Sequence, residues 1–309
     1  MEELLDKYVR YLAVERSLSP YTVRNYSTDV LHFMKFLDSE EVHSLEDIDH
    51  SDVRNYLGQL LDAGTVRASI SRKMSALRSF FRYLNREGII DNEPLNRVSS
   101  PKMEKRLPSF LTSEEILSLL NAPDDSTPQG FRDRAILELL YAAGLRVSEI
   151  ASLDENSLDL ESRQIRVWGK GAKERMVLMG EPAAEAVKQY LEYGRVKLQG
   201  QESTGALFLN RYGKRIAERR IQYLLKKYAG QAGISRRVHP HMLRHTFATH
   251  MLDGGADLRV VQELLGHSNL SSTQVYTHVT RSQMRDRYLE AHPRSNEDEK
   301  AVRKQDSEE

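Results

Sequence analysis

Residues 98–110, VSSPKMEKRLPSF, constrain the fold of this chain more than any other stretch. Two prolines, several serines and basic residues with no apolar period cannot contribute to a packed core and mark a linker. The 309-residue chain must therefore divide, and each part must bury its own core. The expected organisation is an N-terminal domain over 1–98, a linker over 99–110, a second domain over 111–293 and a disordered acidic tail over 294–309. No internal repeat is visible.

Helical periodicity dominates both parts. Leu4, Leu5, Tyr8, Tyr11 and Leu12 recur at helical spacing. Ser19-Pro20 offers an N-cap followed by proline at the first helical position, ahead of Val23, Tyr26, Val30, Phe33, Met34 and Leu37. A third helix carries Val53, Tyr56, Leu57, Leu60 and Leu61 and stops at Gly64; a fourth runs from Arg67 to Arg86 and stops at Gly88. Four short helices on short loops predict a compact bundle. The second domain opens on a Thr112–Glu115 capping box. Further helices are expected over Phe131–Ala143, Ser148–Leu153 (with Ser148 as its cap), Pro182–Lys197, Ala217–Gly230, Pro240–Leu252 and Asp257–Leu265. Only Gln164–Trp168 and Glu174–Leu178 alternate, joined by Gly-Lys-Gly-Ala-Lys, which reads as a β-hairpin; Ala206–Leu209 reads as another short strand. The fold class is mainly α, in two domains, with a small antiparallel β-hairpin or sheet in the second.

Net charge is zero, 45 basic against 45 acidic residues, but the distribution is uneven. Between Arg67 and Arg86 stand Arg67, Arg72, Lys73, Arg78, Arg82 and Arg86 without one acidic residue, the pattern of a DNA-facing helix. There is no cysteine, which removes disulfides and thiolate metal sites and suits a reducing compartment. No apolar run approaches a membrane span and MEELLDKYVR is not a signal peptide, so the expected location is the cytoplasm, at the nucleoid, with no membrane partner.

Six of the ten histidines fall between His239 and His278, together with Arg244 and Tyr276. Crowding such groups costs energy unless an anion is held among them. His241 and Arg244, three apart behind Pro240, share one face at a helix N-terminus, where the dipole also favours an anion. His267 follows Gly266 at a helix end, Arg146 stands at a helix start behind Gly144-Leu145, and Lys170 sits between two glycines at the hairpin tip. Five donors and one phenol from separate segments suit phosphodiester transesterification. Arginines near Tyr276 would favour its phenolate and neutralise charge growing on the phosphorane oxygens. A histidine can take the phenolic proton and a lysine can protonate the leaving oxygen. His241 and His245 lack the Glu of H-E-x-x-H and a third ligand, so no metal is expected, and the lysine between glycines is not a phosphate-binding loop.

Ala143-Gly-Leu-Arg-Val-Ser-Glu149, Gly169-Lys-Gly-Ala-Lys-Glu-Arg175, His241-Met-Leu-Arg-His245, Leu265-Gly-His267 and Val275-Tyr-Thr-His278 together resemble the tyrosine site-specific recombinases (the phage integrase family), and within them the Xer group. The resemblance spans about residues 2 to 293. It implies a SAM-like, core-binding N-terminal bundle and an α-rich catalytic domain that together clamp duplex DNA. It implies Tyr276 as the nucleophile forming a 3′-phosphotyrosyl link, Arg146 and Arg244 as the phosphate clamp, and Lys170 (with Lys173 as the neighbouring alternative) as general acid. His241 and His267 would assist proton transfer, Glu149 would orient the site, and Arg72, Lys73 and Arg78 would contact DNA. No cofactor, metal or ATP is expected. The partners implied are a specific recombination site, a homo- or hetero-tetramer of like recombinases exchanging strands through a Holliday junction, and a septal DNA translocase. The implied role is resolution of chromosome or plasmid multimers. The segment Arg281–Ala291, anchored by Met284, Tyr288 and Leu289, would pass to a neighbouring subunit.

Overall fold

A computed structural model describes residues 2–42, 44–91, 93–96, 98, 110–168, 174–200, 204–266 and 281–295. The chain forms two compact units, Met1–Arg106 and Leu107–Glu309.

The first unit is a helical bundle. Helix α1 (Glu2–Arg10) continues as a wider π turn over Tyr11–Glu15, followed by α2 (Pro20–Ser39), α3 (His50–Asp62) and α4 (Arg67–Arg86). Local chemistry sets the starts. The Ser19 hydroxyl accepts the Thr22 N–H at 3.2 Å ahead of Pro20. Asp49 and Asp52 cap α3 reciprocally, with the Asp49 N–H donating to the Asp52 carboxylate at 2.9 Å. Tyr8, Phe33, Tyr56, Phe80 and Phe81 interlock in a buried aromatic core, several of them edge to face.

The second unit is built round α6 (Pro128–Ala142), which is buried on nearly every side. Around it lie α5 (Ser113–Asn121), α7 (Val147–Ser152), α8 (Glu181–Gln189), α9 (Val196–Leu198), α10 (Glu218–Gln231), α11 (Pro240–Asp253), α12 (Leu258–Leu265) and α13 (Arg281–Ala291). The strands β1 (Leu158–Asp159), β2 (Gln164–Trp168) and β3 (Glu174–Leu178) form an antiparallel sheet in the order β1-β2-β3, with Val167 opposite Arg175. Ile165, Val167 and Val177 face the core.

Three expectations need correction, and one needs refinement: the helix expected over Pro182–Lys197 is present without a break, but α8 widens into a π turn at Tyr190–Arg195 before α9. There Gly194 packs so closely that an added Cβ would lie 2.8 Å from the Tyr190 ring and 2.9 Å from the Pro128 carbonyl. Ala206–Leu209 is not a strand and makes only isolated bridges, Asp154 with Ala206 and Leu209 with Arg215. Side chains satisfy three of its four carbonyls: Arg195 donates to Ala206 O at 2.9 Å, Tyr190 to Leu207 O at 3.1 Å and Arg132 to Leu209 O at 2.8 Å, while the Ile216 N–H donates to Phe208 O at 2.9 Å. Ser148 does not cap α7, which begins at Val147 with Arg146 as the N-cap residue. Arg294 and Ser295, expected in the disordered tail, are packed: Arg294 bonds the buried Glu138 at 3.0 Å and Ser295 is fully buried.

Helix α13 packs on its own unit. Tyr288 is buried and donates to the Ala142 carbonyl at 3.0 Å, while Leu289 lies against the cluster formed by Phe247, Met251 and Val260.

Beneath the packing lies a buried ion pair. Arg132 donates to Asp133 Oδ1 through Nε at 2.9 Å and Nη2 at 2.6 Å, and Tyr228 donates to Asp133 Oδ2 at 2.7 Å. Burial, then the Asp133 charge, push the Tyr228 phenol well above its ordinary value, so it stays a donor. Asp133→Ala strands the Arg132 charge in the core and is expected to cost about 3–5 kcal/mol. Urea denaturation measures this, and a loss under about 1 kcal/mol would show that the pair contributes little.

Candidate active site

Glycine sets the approach of the segments. Gly144 has φ +55°, and a Cβ there would meet Phe247 at 2.7 Å and Leu265 at 2.9 Å. The chain entering α7 can therefore lie against α11 and the end of α12. Arg146 follows at the α7 N-terminus, where its backbone N–H donates to Glu149 Oε2 at 2.8 Å and its Nη1 to Glu149 Oε1 at 2.8 Å. Glu149 is only 4% exposed. Arg175, on β3, closes on the same carboxylate with two parallel bonds of 2.8 and 3.0 Å.

Arg244 reaches the same place from α11. Its Nη1 donates to Gly144 O at 2.6 Å and its Nη2 to Leu265 O. Burial first, then the positive field of Arg146 and with it Arg175, against the pull of Glu149, push the Arg244 guanidinium down to about 10. It remains charged at neutral pH, and a bound anion would favour that charge. Two guanidiniums share one carboxylate and a third, Arg244, lies within their field, so these residues leave positive charge uncompensated. That is the electrostatic requirement for holding a phosphodiester and for stabilising a more highly charged phosphorane.

His241 stands on the exposed first turn of α11, one turn before Arg244. The N-cap is His239, whose Nδ1 accepts the Met242 N–H at 3.2 Å. Burial, then His241 and Arg237, lower the His239 pKa and keep it a neutral acceptor. Gly266 ends α12 in the left-handed conformation, φ +65°, as the sequence predicts. Lys170, Lys173, His267 and Tyr276 lie outside the described residues. Among the described residues no three His, Asp or Glu side chains gather as a metal site, and no helix is long and apolar enough to cross a membrane.

The three expected DNA contacts on α4 have partners within the bundle. Arg72 and Lys73 both pair with Asp29, itself 2% exposed. The Arg72 side chain keeps 42% of its surface in solvent and that of Lys73 only 12%. Arg78 donates to Val98 O at 2.9 Å.

Two features lie beyond what sequence reasoning singled out. One is Arg175. The other is the exposed face of α10, with Arg219, Arg220, Tyr223, Lys226 and Lys227, where the Arg220 guanidinium sits 4.8 Å over the Tyr223 ring. Its signal is the pairing of basic residues in ERRIQYLLKK.

Residues 109–283 match the family model described as the phage integrase family, and residues 5–88 match the phage integrase N-terminal SAM-like domain. Tyrosine recombinase XerC of Pelotomaculum thermopropionicum is 48% identical over 300 residues, 94% of this chain and 98% of that protein. Tyrosine recombinase XerD of Staphylococcus epidermidis is 41% identical over 295 residues, 96% of this chain and 100% of that protein. In fold, the chain is similar to the XerH site-specific recombinase in a post-cleavage complex with palindromic difH substrate, with TM-score 0.70, 24% identity and coverage of 94% of this chain and 82% of that one. It is also similar to a lambda integrase tetramer on a Holliday junction, with TM-score 0.68, 22% identity and coverage of 93% and 77%.

Burial alone would raise the Glu149 pKa, but hydrogen bonds and charge from Arg175 and Arg146 more than offset it, and the net value falls below the ordinary 4.5. Such a group stabilises the fold above its unfolded pKa, and that stability is lost as pH falls through the lowered folded pKa. Glu149→Gln should therefore be less stable than the parent at pH 7, with the gap closing below pH 4.5. Thermal melts of both proteins across pH check this; a gap that does not change with pH would mean the carboxylate charge is not what holds the guanidiniums.

Proposed function

The chain belongs to the phage integrase family and is a site-specific tyrosine recombinase; we propose that it cuts and rejoins duplex DNA through a 3′-phosphotyrosyl intermediate at Tyr276 and resolves chromosome or plasmid multimers through a Holliday junction. The observation that carries the chemistry is that Arg146 and Arg175 share one buried carboxylate while Arg244, held by the Gly144 and Leu265 carbonyls, lies within the field of all three groups.

In this mechanism the Tyr276 phenolic oxygen attacks the scissile phosphorus and the bond to the 5′-oxygen breaks. Arg146 and Arg244 hold the non-bridging oxygens and stabilise the charge that grows on them. Their field also lowers the cost of forming the phenolate, and His241 and His267 accept and return protons at the phosphate. Lys170, on the segment joining β2 to β3, gives the leaving oxygen its proton. Glu149 touches no substrate and orients Arg146. The phosphotyrosyl diester keeps the energy of the broken linkage, so strand transfer proceeds without ATP, and reversal by a 5′-hydroxyl from a second site completes exchange.

Partner DNA enters here as a proposal supported by charge. The α10 face offers four cations and an aromatic ring to a phosphate backbone, and on α4 Arg72 is better placed than the enclosed Lys73, with Arg78 beside them. Assembly as a homo- or hetero-tetramer agrees with relatives that assemble on DNA. Multimer resolution, a septal translocase as activator, exchange of the α13 segment between subunits and residence at the nucleoid rest on likeness to the Xer proteins.

A suicide substrate carrying a nick beside the scissile phosphate tests the central claim. The parent should trap a covalent protein–DNA adduct without added metal or ATP, and Tyr276→Phe should trap none. Arg146→Ala and Arg244→Ala should each slow adduct formation by about 10²–10³-fold, the typical cost of losing one anion-hole donor. An adduct persisting in Tyr276→Phe would remove the claim.

A further inference from the structure

We infer that Arg175 is a positioning residue that locks the lysine-bearing hairpin to the arginine clamp, so that the general acid and the phosphate site act in fixed register; this rests on the recombinase reading above. Its side chain touches two of the three parts involved and belongs to the third. It grips Glu149 with both terminal nitrogens, sharing Oε1 with Arg146. It packs against the end of α12 so tightly that a Cβ on Gly266 would lie 2.9 Å from its Nε and 3.0 Å from its Cδ. And it is the second residue of β3, paired with Val167, at the foot of the segment that joins Trp168 to Glu174 and carries Lys170 and Lys173.

Position makes this anchor effective. Ladder hydrogen bonds fix β3 to β2, but both strands belong to the hairpin and could tilt together. Among the described residues, the fork from Arg175 to Glu149 is the ion pair that joins β3 to the α7 N-terminus, and the carboxylate it uses is buried. Lys170 is five residues from Arg175 in sequence and Lys173 two, so the strand end that both precede is the one that Arg175 fixes. Misplacing a reacting group by about 1 Å can cost on the order of 10²-fold in rate. A lysine at position 175 could neutralise Glu149 but could not form two parallel bonds, and so could not fix the angle.

The test uses the full-length protein and two suicide duplexes that differ in one atom. In one, the leaving atom at the scissile phosphate is the natural 5′-oxygen. In the other it is a bridging 5′-sulfur, which departs as a thiolate when the P–S bond breaks and needs no proton. Lys170→Ala is the reference for loss of the general acid and Arg146→Ala for loss of the clamp. Arg175→Ala should form adduct roughly 10²-fold more slowly than the parent on the oxygen substrate and near the parent rate on the sulfur substrate, tracking Lys170→Ala. Arg175→Lys should show the same sulfur-selective recovery with a smaller initial loss, and it decides the question alone if the alanine variant does not fold by thermal melting. Equal loss on both substrates in a folded variant that still shifts DNA on a gel would place Arg175 with the clamp only and overturn the inference. Parent-like rates on both would also overturn it. If the parent itself forms no adduct with either duplex, the recombinase reading has failed rather than the coupling.

Discussion

A buried carboxylate holding two guanidiniums is the interaction on which the candidate active site depends. Without Glu149, Arg146 and Arg175 would repel each other in a partly desolvated pocket that also contains Arg244. With it, the cations can be fixed before any DNA arrives. The carboxylate cancels part of their charge and leaves the rest for a phosphate. Preorganised charge of this kind needs no rearrangement as the reaction proceeds, which is what makes it effective in the transition state.

The scaffold supplies the fixity. Arg244 projects from α11, packed on the buried α6, and its guanidinium is held by two carbonyls from different segments, Gly144 and Leu265. At the site, Gly144 and Gly266 are two points where a side chain would not fit, one against Phe247 and Leu265, the other against Arg175. Both take positive φ, so close approach and backbone conformation ask for glycine at the same positions. The helix starts and ends that bear the site's residues are thus held by contacts that tolerate little variation, while the bulk of the unit is ordinary apolar packing.

Much of this was legible in the sequence wherever the information is local. Ser19-Pro20, Thr112 with Glu115, and Gly266 set helix ends within a few residues of themselves, and the alternation at Gln164–Trp168 and Glu174–Leu178 marked the two paired strands. Ser148 misled because two capping groups compete at the α7 start. The Glu149 carboxylate already takes the Arg146 N–H, which moves the cap two residues earlier. Ala206–Leu209 misled because its buried backbone is satisfied by Arg132, Tyr190 and Arg195, distant in sequence and invisible to a local pattern. Arg175 was half legible: strand alternation puts it on the inward face with Val177, and an inward cation requires a carboxylate. Which carboxylate, 26 residues earlier, only the tertiary structure supplies.

The charge on α4 shows the same limit from the other side. Six cations without an acid read as a field for DNA, yet Arg72 and Lys73 answer to Asp29 on α2, and Arg86 pairs with Glu15 and Glu87 while lying 4.3 Å over the Tyr11 ring. Much of that helix's charge is neutralised by its own bundle, in agreement with a net charge of zero for the whole chain. Net balance does not remove local fields, and the exposed α10 face keeps four cations. Orientation is what the candidate active site adds: Arg146 and Arg244, with Arg175 on the same carboxylate as Arg146, are fixed by the fold and exceed their carboxylate partner in charge.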